Sequence, residues 1–567
     1  MTRHVMVPAF IFGPATSGET TTTVVKRKDS VLEIEFPVFG KENVLETAHK
    51  LALRKRMAHD RPIDELIDIM DQVGHLWGDP NYDLRKEALE VIPVISGQSR
   101  QLCEFELDSI VPLWTKPVME ALLSKDLGGK EFLEQWVPMP TGIRLHAQPL
   151  GLVYHSLAGN SFNLGMTSLF NGMLTKNVNL VKLAREAPYF TVRLAESIKE
   201  VDRKIAKELA VLYWRGQDSE IFDALFNSGD VDAVLAWGGL FSIQEIRRRA
   251  YQYGIKVIDY GPKLSFSIIS EEALTNPDLM RELARKISMD VAIFNQKACL
   301  SPRVVFIKEK PGKSTVASNN GSNDRNGKAG QVGSVEMKTT TSSSSNSLGS
   351  VLSRSPVGDD DGEIRALMQR SVGFLRKEIM ELSPLGFARI LAQEMEKTEQ
   401  LLPRMHQTQA EVVETIQKRE YFAINHEALD NGKVFTPPDD SVNWTVVYLR
   451  NPPTMREINM CMNRFIIVTR VVDLDDVIYY MRQQKLGRFL QTFSIYGTDE
   501  FVQEVAEELS LLGAFRFPRV GEHNNHKLGS PMDGRFILRE MVKWVNIDHT
   551  HVDAEEPSFS DFSHAKL

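Results

Sequence analysis

Cys299 is the residue of this 567-residue chain around which covalent chemistry can be organised. It lies in FNQKACLSPRVVFI, Phe294 to Ile307. Leu279, Leu283, Ile287 and Val291 recur at helical spacing before it, and the β-branched run RVVFI follows it. A thiol on such a helix-to-strand loop is held rigidly, leaves room for a substrate, and has turn N–H groups that can be aimed at an oxyanion. A free cysteine is more commonly a small buried hydrophobe, so the chemical reading needs support from the rest of the chain.

Several other residues sit where strands end. Asn160, in Ala158-Gly159-Asn160, ends a strand and opens a helix, and its amide can donate to an oxyanion or serve as a turn or cap residue. Lys182 ends VNLVK and Arg185 follows three residues later; two cations there suit a phosphate-bearing ribose, although a solvated charge pair is the commoner cause. Gly238-Gly239 opens a helix start that can bind anions, without a full GxGxxG pattern. Asp259, ahead of Gly261-Pro262, fits either a base or a turn aspartate. His523 and His526, beside Glu522, share an HxxH spacing but not the helical HExxH arrangement, so solvated loop histidines are expected and no metal site.

These residues need a frame. From Ala147 to Ile269, the strands GLVYHSL, VNLVKLA, KELAVLYW, DAVLAWG and GIKVIDYG alternate with helical stretches, which predicts a mostly parallel, doubly wound sheet with ligands at its carboxyl edge. Asn43 to Leu127 reads as amphipathic helices broken at Gly78-Asp79-Pro80 and Ser96-Gly97. Residues 1–42 read as strands and turns at an edge or in an oligomer arm. Residues 311–350 are too poor in apolar side chains to offset their ordering entropy and read as a disordered insertion. Helices at Ala366–Leu382, Leu385–Met405 and Asp475–Gln483, FVQEVAEELSLLGA, and the strands WTVVYLR and RFIIVTRVV indicate a second α/β domain.

A formal net charge of −8 supplies no basic field for nucleic acid or an anionic membrane. Three cysteines without CxxC spacing indicate a reducing compartment, with Cys103 reading as core. No run approaches the length of a membrane span, and Pro8 and Pro14 break the short apolar run at the start, so a cytoplasmic protein is expected.

Taken in order, YHSLAGNSFN, KNVNLVKLA, AWGG, YGPK and NQKACLSP resemble the acyl-CoA reductase family within the aldehyde dehydrogenase superfamily, whose familiar member is the fatty acid reductase of bacterial luminescence. The resemblance spans about Asn43 to Val545. It implies an α/β, aldehyde dehydrogenase-like fold: an N-terminal arm (1–42), an NADP-binding domain (43–292), a catalytic domain (293–520) interrupted at 311–350, and a C-terminal segment (521–567) that returns to the body and ends in a disordered tail. It implies Cys299 as nucleophile, Asn160 in the oxyanion hole, Lys182 at the adenosine ribose and Gly238-Gly239 at the pyrophosphate helix. Arg185 stands where NAD-preferring relatives carry glutamate, so NADPH is the implied cofactor. Asp259 aligns with the general-base glutamate, in Asp-Tyr-Gly-Pro-Lys ending at Lys263; the shorter carboxylate and the proline depart from that pattern, as a reductase that must exclude water would. The implied activity is reduction of a fatty acyl-CoA or acyl thioester to the aldehyde, in a homo-oligomer served by an acyl-protein synthetase. The rival readings are an oxidative aldehyde dehydrogenase and an inert binding protein of the same fold.

Overall fold

The computed structural model describes residues 2–11, 19–26, 31–216, 218–309, 382–405, 407–525, 527 and 529–548. The expected insertion at 311–350, nearly all of the helix expected at Ala366–Leu382, the tail after 548 and His526 lie outside them.

Strands β1 (Thr2–Met6), β2 (Glu19–Lys26) and β3 (Val31–Val38) form a small sheet in the order β1-β3-β2. Helices follow at Lys41–Ala52, Lys55–Asp60, Ile63–Gly78, Asp83–Ser96, Arg100–Ile110 and Lys116–Leu127. The breaks fall where the breakers stand: Gly97 ends its helix in the left-handed region (φ 76°), which costs glycine nothing. After β4 (Val137–Pro138) and β5 (Arg144–Pro149) comes the five-stranded parallel sheet: β6 (Leu152–Ser156), β7 (Val178–Lys182), β8 (Leu209–Leu212), β9 (Ala233–Trp237) and β10 (Lys256–Tyr260). Its order is β10-β9-β6-β7-β8, so the winding reverses between β6 and β9.

Strands β6 to β9 are buried almost throughout because helices cover both faces. Side chains alternate across a strand, so Val153, Val181, Leu209, Val211 and Leu235 pack with the helices Ile63–Gly78, Leu164–Leu174 and Phe190–Val201. Tyr154, Leu180, Ala210, Leu212 and Val234 pack on the opposite side with Lys41–Ala52, Ser219–Asn227 and Leu240–Gln252. Val7, Phe10 and Phe36 join this core, and Phe10 exchanges backbone hydrogen bonds with Val211 (3.0 and 2.7 Å), closing the β8 edge.

The second sheet contains β11 (Leu264–Ile269), β12 (Pro302–Lys308), β13 (Gly432–Phe435), β14 (Thr445–Leu449), β15 (Phe465–Val471) and β16 (Leu490–Tyr496), ordered β13-β14-β15-β12-β11-β16. All its pairings are parallel except β13 with β14. The change of sheet therefore falls at Gly261-Pro262-Lys263, ahead of the boundary expected at 292/293. Pro262 has no N–H for a ladder, so β10 stops and β11 starts in the other sheet. The helix Pro277–Ala292, expected in the first domain, packs under Val305, Ile307 and Ile466 of the second. Finally β17 (Val542–Ile547) pairs antiparallel with β5, from Val542 opposite Pro149 to Ile547 opposite Arg144.

Candidate active site

The Cys299 loop begins with three consecutive left-handed residues, Phe294 (φ 57°), Asn295 (φ 48°) and Gln296 (φ 60°). Each costs roughly 1–2 kcal/mol in that region, so the surroundings must hold them there. Glu106 Oε1, from the helix Arg100–Ile110, accepts the Phe294 N–H (2.8 Å), and Arg464 Nε donates to Asn295 Oδ1 (2.9 Å). Gln296 pairs with the Phe465 backbone in both directions, accepting at 2.7 Å and donating at 2.9 Å, and donates to the Pro302 carbonyl at 2.9 Å. Burial pushes the Glu106 carboxyl up to about 8. Arg464 also binds Glu399 (2.6 Å). Sequence reasoning saw the loop and none of this brace.

Cys299 follows, between that turn and β12. It is exposed, whereas Cys103 and Cys461 are buried. The thiol opens to solvent yet is crowded by protein, and that burial, with the nearby Asp533 charge second, pushes it up to about 11. Gln491, on β16, and the N–H groups of Cys299 and Leu300 act in the opposite direction. Gln491 Nε2 donates to Cys299 Sγ (3.4 Å) and to Asp533 Oδ1 (2.7 Å). Ser265, on β11, donates to the Cys299 carbonyl (2.7 Å). Asp533 and Gly534 (φ 48° and 75°) are the central residues of a tight hairpin closed by Met532 and Arg535, whose backbones exchange hydrogen bonds at 2.8 and 3.0 Å. The Asp-Gly pair is a readable turn signal, but nothing local says which thiol it faces.

Asn160 lies after β6, at the point where the winding reverses, and its Nδ2 donates to the Lys297 carbonyl (3.1 Å). The structure thus brings Asn160 to the cysteine loop, two residues from Cys299. Gly159 beside it is obligatory in size, since a Cβ there would stand 2.7 Å from Glu186 Cβ. Asp259 is placed otherwise. Its Oδ1 accepts from Arg247 Nε (2.9 Å) and Nη2 (2.6 Å), and its backbone carbonyl accepts from Arg535. One oxygen of the Asp259 carboxylate is thus engaged by Arg247, and the carboxylate linked to Cys299 is Asp533.

Lys182 ends β7, its ammonium 5.7 Å from the Trp214 ring centroid; burial pushes it down to about 8, against Glu186 and Asp218. Arg185 is exposed in the next turn, and both it and Arg215 act on the Tyr213 hydroxyl. Gly239 is the N-cap of Leu240–Gln252, has no side-chain cap, and leaves open space where a Cβ would stand. An uncapped helix N-terminus with an open approach has the form of an anion site. His523, expected as a solvated loop residue, is fully buried: Nδ1 lies 2.7 Å from the Leu300 carbonyl and burial pushes the ring down to about 3. Among the described residues no group of three or more His, Cys, Asp or Glu could hold a metal.

Two α/β sheets with a cysteine loop between them define an aldehyde dehydrogenase-like protein. Solved structures of that class align over nearly the whole chain: lactaldehyde dehydrogenase from Escherichia coli (TM-score 0.58, 15% identity, 96% of this chain and 100% of that one) and an NAD-dependent benzaldehyde dehydrogenase from Corynebacterium glutamicum (0.61, 13%, 95% and 98%). An NADP-dependent glyceraldehyde-3-phosphate dehydrogenase from Bacillus halodurans, solved with NADP, aligns similarly (0.60, 13%, 94% and 96%). Within that class the chain belongs to the acyl-CoA reductase (LuxC) family, whose model matches residues 58–317 and 377–544. Long-chain acyl-protein thioester reductases are similar to it: 27% identity over 291 residues for Vibrio harveyi (50% of this chain, 59% of that one) and 28% over 251 for Aliivibrio fischeri (43% and 50%). The chain spans about half the length of the curated relatives it matches.

Proposed function

We propose that this chain reduces a long-chain fatty acyl thioester to the aldehyde through an acyl-Cys299 intermediate, with NADPH as reductant. The observation that carries the reading is the contact of Asn160 Nδ2 with the Lys297 carbonyl, which puts an amide donor beside an exposed thiol in a chain of this family. The Cys299 sulfur attacks the thioester carbonyl. Asn160 and the Cys299 N–H face the developing oxyanion, the donor thiol departs, and the acyl group stays on the sulfur. NADPH, when bound, supplies the hydride. Gly238 and Gly239 would hold its pyrophosphate, Lys182 its ribose, and Arg185 the 2′-phosphate, with Arg215 adding charge. Once the acyl carbon is reduced, the tetrahedral centre expels the Cys299 sulfur and the aldehyde leaves. The ion pair of Asp259 with Arg247 supports reduction over hydrolytic oxidation, because the carboxylate expected to activate water has one oxygen held by a guanidinium.

The names of the relatives support a protein-bound acyl donor, and the description of the family supports acyl-CoA; an acyl-protein synthetase charging the former belongs to the same proposal. An exposed free thiol suits a reducing compartment such as the cytoplasm; a homo-oligomer is part of the same proposal. No helix among the described residues is long and apolar enough to cross a membrane.

The test is incubation with a labelled long-chain acyl-CoA without NADPH. A hydroxylamine-labile adduct is expected on the parent protein and none on Cys299→Ala, with aldehyde released on adding NADPH; equal labelling of both proteins would sink the assignment. Asn160→Ala should slow acylation about a hundredfold or more.

A further inference from the structure

We propose that Gln491 and Asp533 form a positioning pair that sets the protonation of Cys299. The Asp533 carboxylate aims the Gln491 amide at the sulfur, and its charge keeps the thiol from ionising until that charge is neutralised. The inference rests on Cys299 being the nucleophile of the reading above.

A single nitrogen makes the link. Gln491 is 4% exposed, and its Nε2 divides its two hydrogens between Sγ at 3.4 Å and Asp533 Oδ1 at 2.7 Å. An ionised Asp533 carboxylate can only accept, which turns the amide nitrogen rather than Oε1 toward it and toward the sulfur. Sharing one donor keeps sulfur and carboxylate oxygen within about 6 Å, a range in which one negative charge opposes a second. Lys263 and Arg535 face Asp533 as cations, while Asp259 is a further carboxylate, itself engaged by Arg247. On the sulfur side Arg303 is the nearby cation, held at the Ile458 carbonyl (3.3 Å), and His523 is buried at the Leu300 carbonyl. Burial raises both the Asp533 carboxyl and the thiol, and the carboxylate adds to the shift of the thiol.

The pair is therefore built to carry one negative charge. When the thiol ionises as Asp533 takes up a proton, an S–H bond breaks, an O–H bond forms and the net charge is unchanged. The opening of Cys299 to solvent supplies the route for proton exchange.

Asp533→Asn isolates the charge. The Asn oxygen still accepts from Gln491, and asparagine is among the residues best suited to φ 48°, so the hairpin is kept. The measurement is the pH profile of Cys299 alkylation by iodoacetamide in the full-length protein, with the modified residue located by peptide mass. The midpoint should fall by about one pH unit or more in Asp533→Asn. It should rise in Gln491→Met, which loses the donor to the thiolate and also serves if Asp533→Asn does not fold. An unmoved midpoint in the folded variant overturns the proposal. Alkylation needs no acyl donor, so the two readings fail separately. A shifted midpoint without an acyl adduct counts against acyl transfer alone, and an adduct with an unmoved midpoint counts against the pair alone.

Discussion

Arg185 is where one side chain can decide a preference. It is exposed after β7, three residues beyond Lys182, and with Arg215 it acts on the Tyr213 hydroxyl. Charge-assisted contacts to a phosphate are worth about 1.5–3 kcal/mol, so Arg185→Glu should lower kcat/KM for NADPH about tenfold or more while sparing NADH. Initial rates with the two cofactors check this, and an unchanged ratio removes Arg185 from the reading. The residues at strand ends could be found from sequence because their position is set by local pattern: Asn160 by a strand and a helix, Lys182 by a strand and a turn. Gln491 and Asp533 could not. A glutamine within a β-strand and an aspartate in an Asp-Gly turn are ordinary there, and only the pairing of β16 with β11 brings them to the thiol. Asp259 shows the converse, a motif position that could be read while the use of its carboxylate depended on Arg247 from the preceding helix, Leu240–Gln252.

At the scale of an element, the cysteine loop is held against its own backbone preference. Its three left-handed residues persist because Glu106, from the helix Arg100–Ile110, and the adjacent Arg464 and Phe465, at the start of β15, bind them from two segments distant in sequence. Gln296→Ala removes three buried hydrogen bonds at about 1 kcal/mol each and leaves the Phe465 backbone unpartnered, so a loss of about 3 kcal/mol is expected from denaturant unfolding. The acylation rate should fall with it, since the loop aims the sulfur. The elements of the first sheet were fully legible, because a buried parallel strand is a short apolar run and the helices between carry a 3.6-residue period. What period cannot tell is sheet membership: β10 and β11 are both short apolar runs separated by Gly261-Pro262-Lys263, and the switch between sheets depends on packing far away in sequence.

For the whole molecule, buried titrating groups give stability a dependence on pH. The Glu106 and Asp290 carboxyls are raised by burial to about 8 and about 7, so the native state holds protons that the unfolded chain releases. That contribution is full below the ordinary carboxylate range and is lost as pH rises through 7 and 8. His155 and His523 work in the opposite direction, lowered by burial to about 4 and about 3, and their contribution is lost as pH falls below the ordinary histidine range. The two effects oppose one another below about pH 6.5, leaving the carboxyls alone above it. Stability should therefore decline from about pH 6.5 to 8, by roughly 1.4 kcal/mol per pH unit for each carboxyl still protonated. Melting temperature against pH measures this, and Glu106→Gln should flatten the upper part of the curve. The link from Cys299 to Asp533 also has a meaning in time. Gln491 follows Cys299 by 192 residues and Asp533 follows Gln491 by a further 42, so at about 5–20 residues per second the ribosome exposes the cysteine tens of seconds before its restraining carboxylate exists. A nascent chain thus carries a thiol whose reactivity is set by solvent alone, and it gains its final acidity only when the last hairpin has been made and folded back.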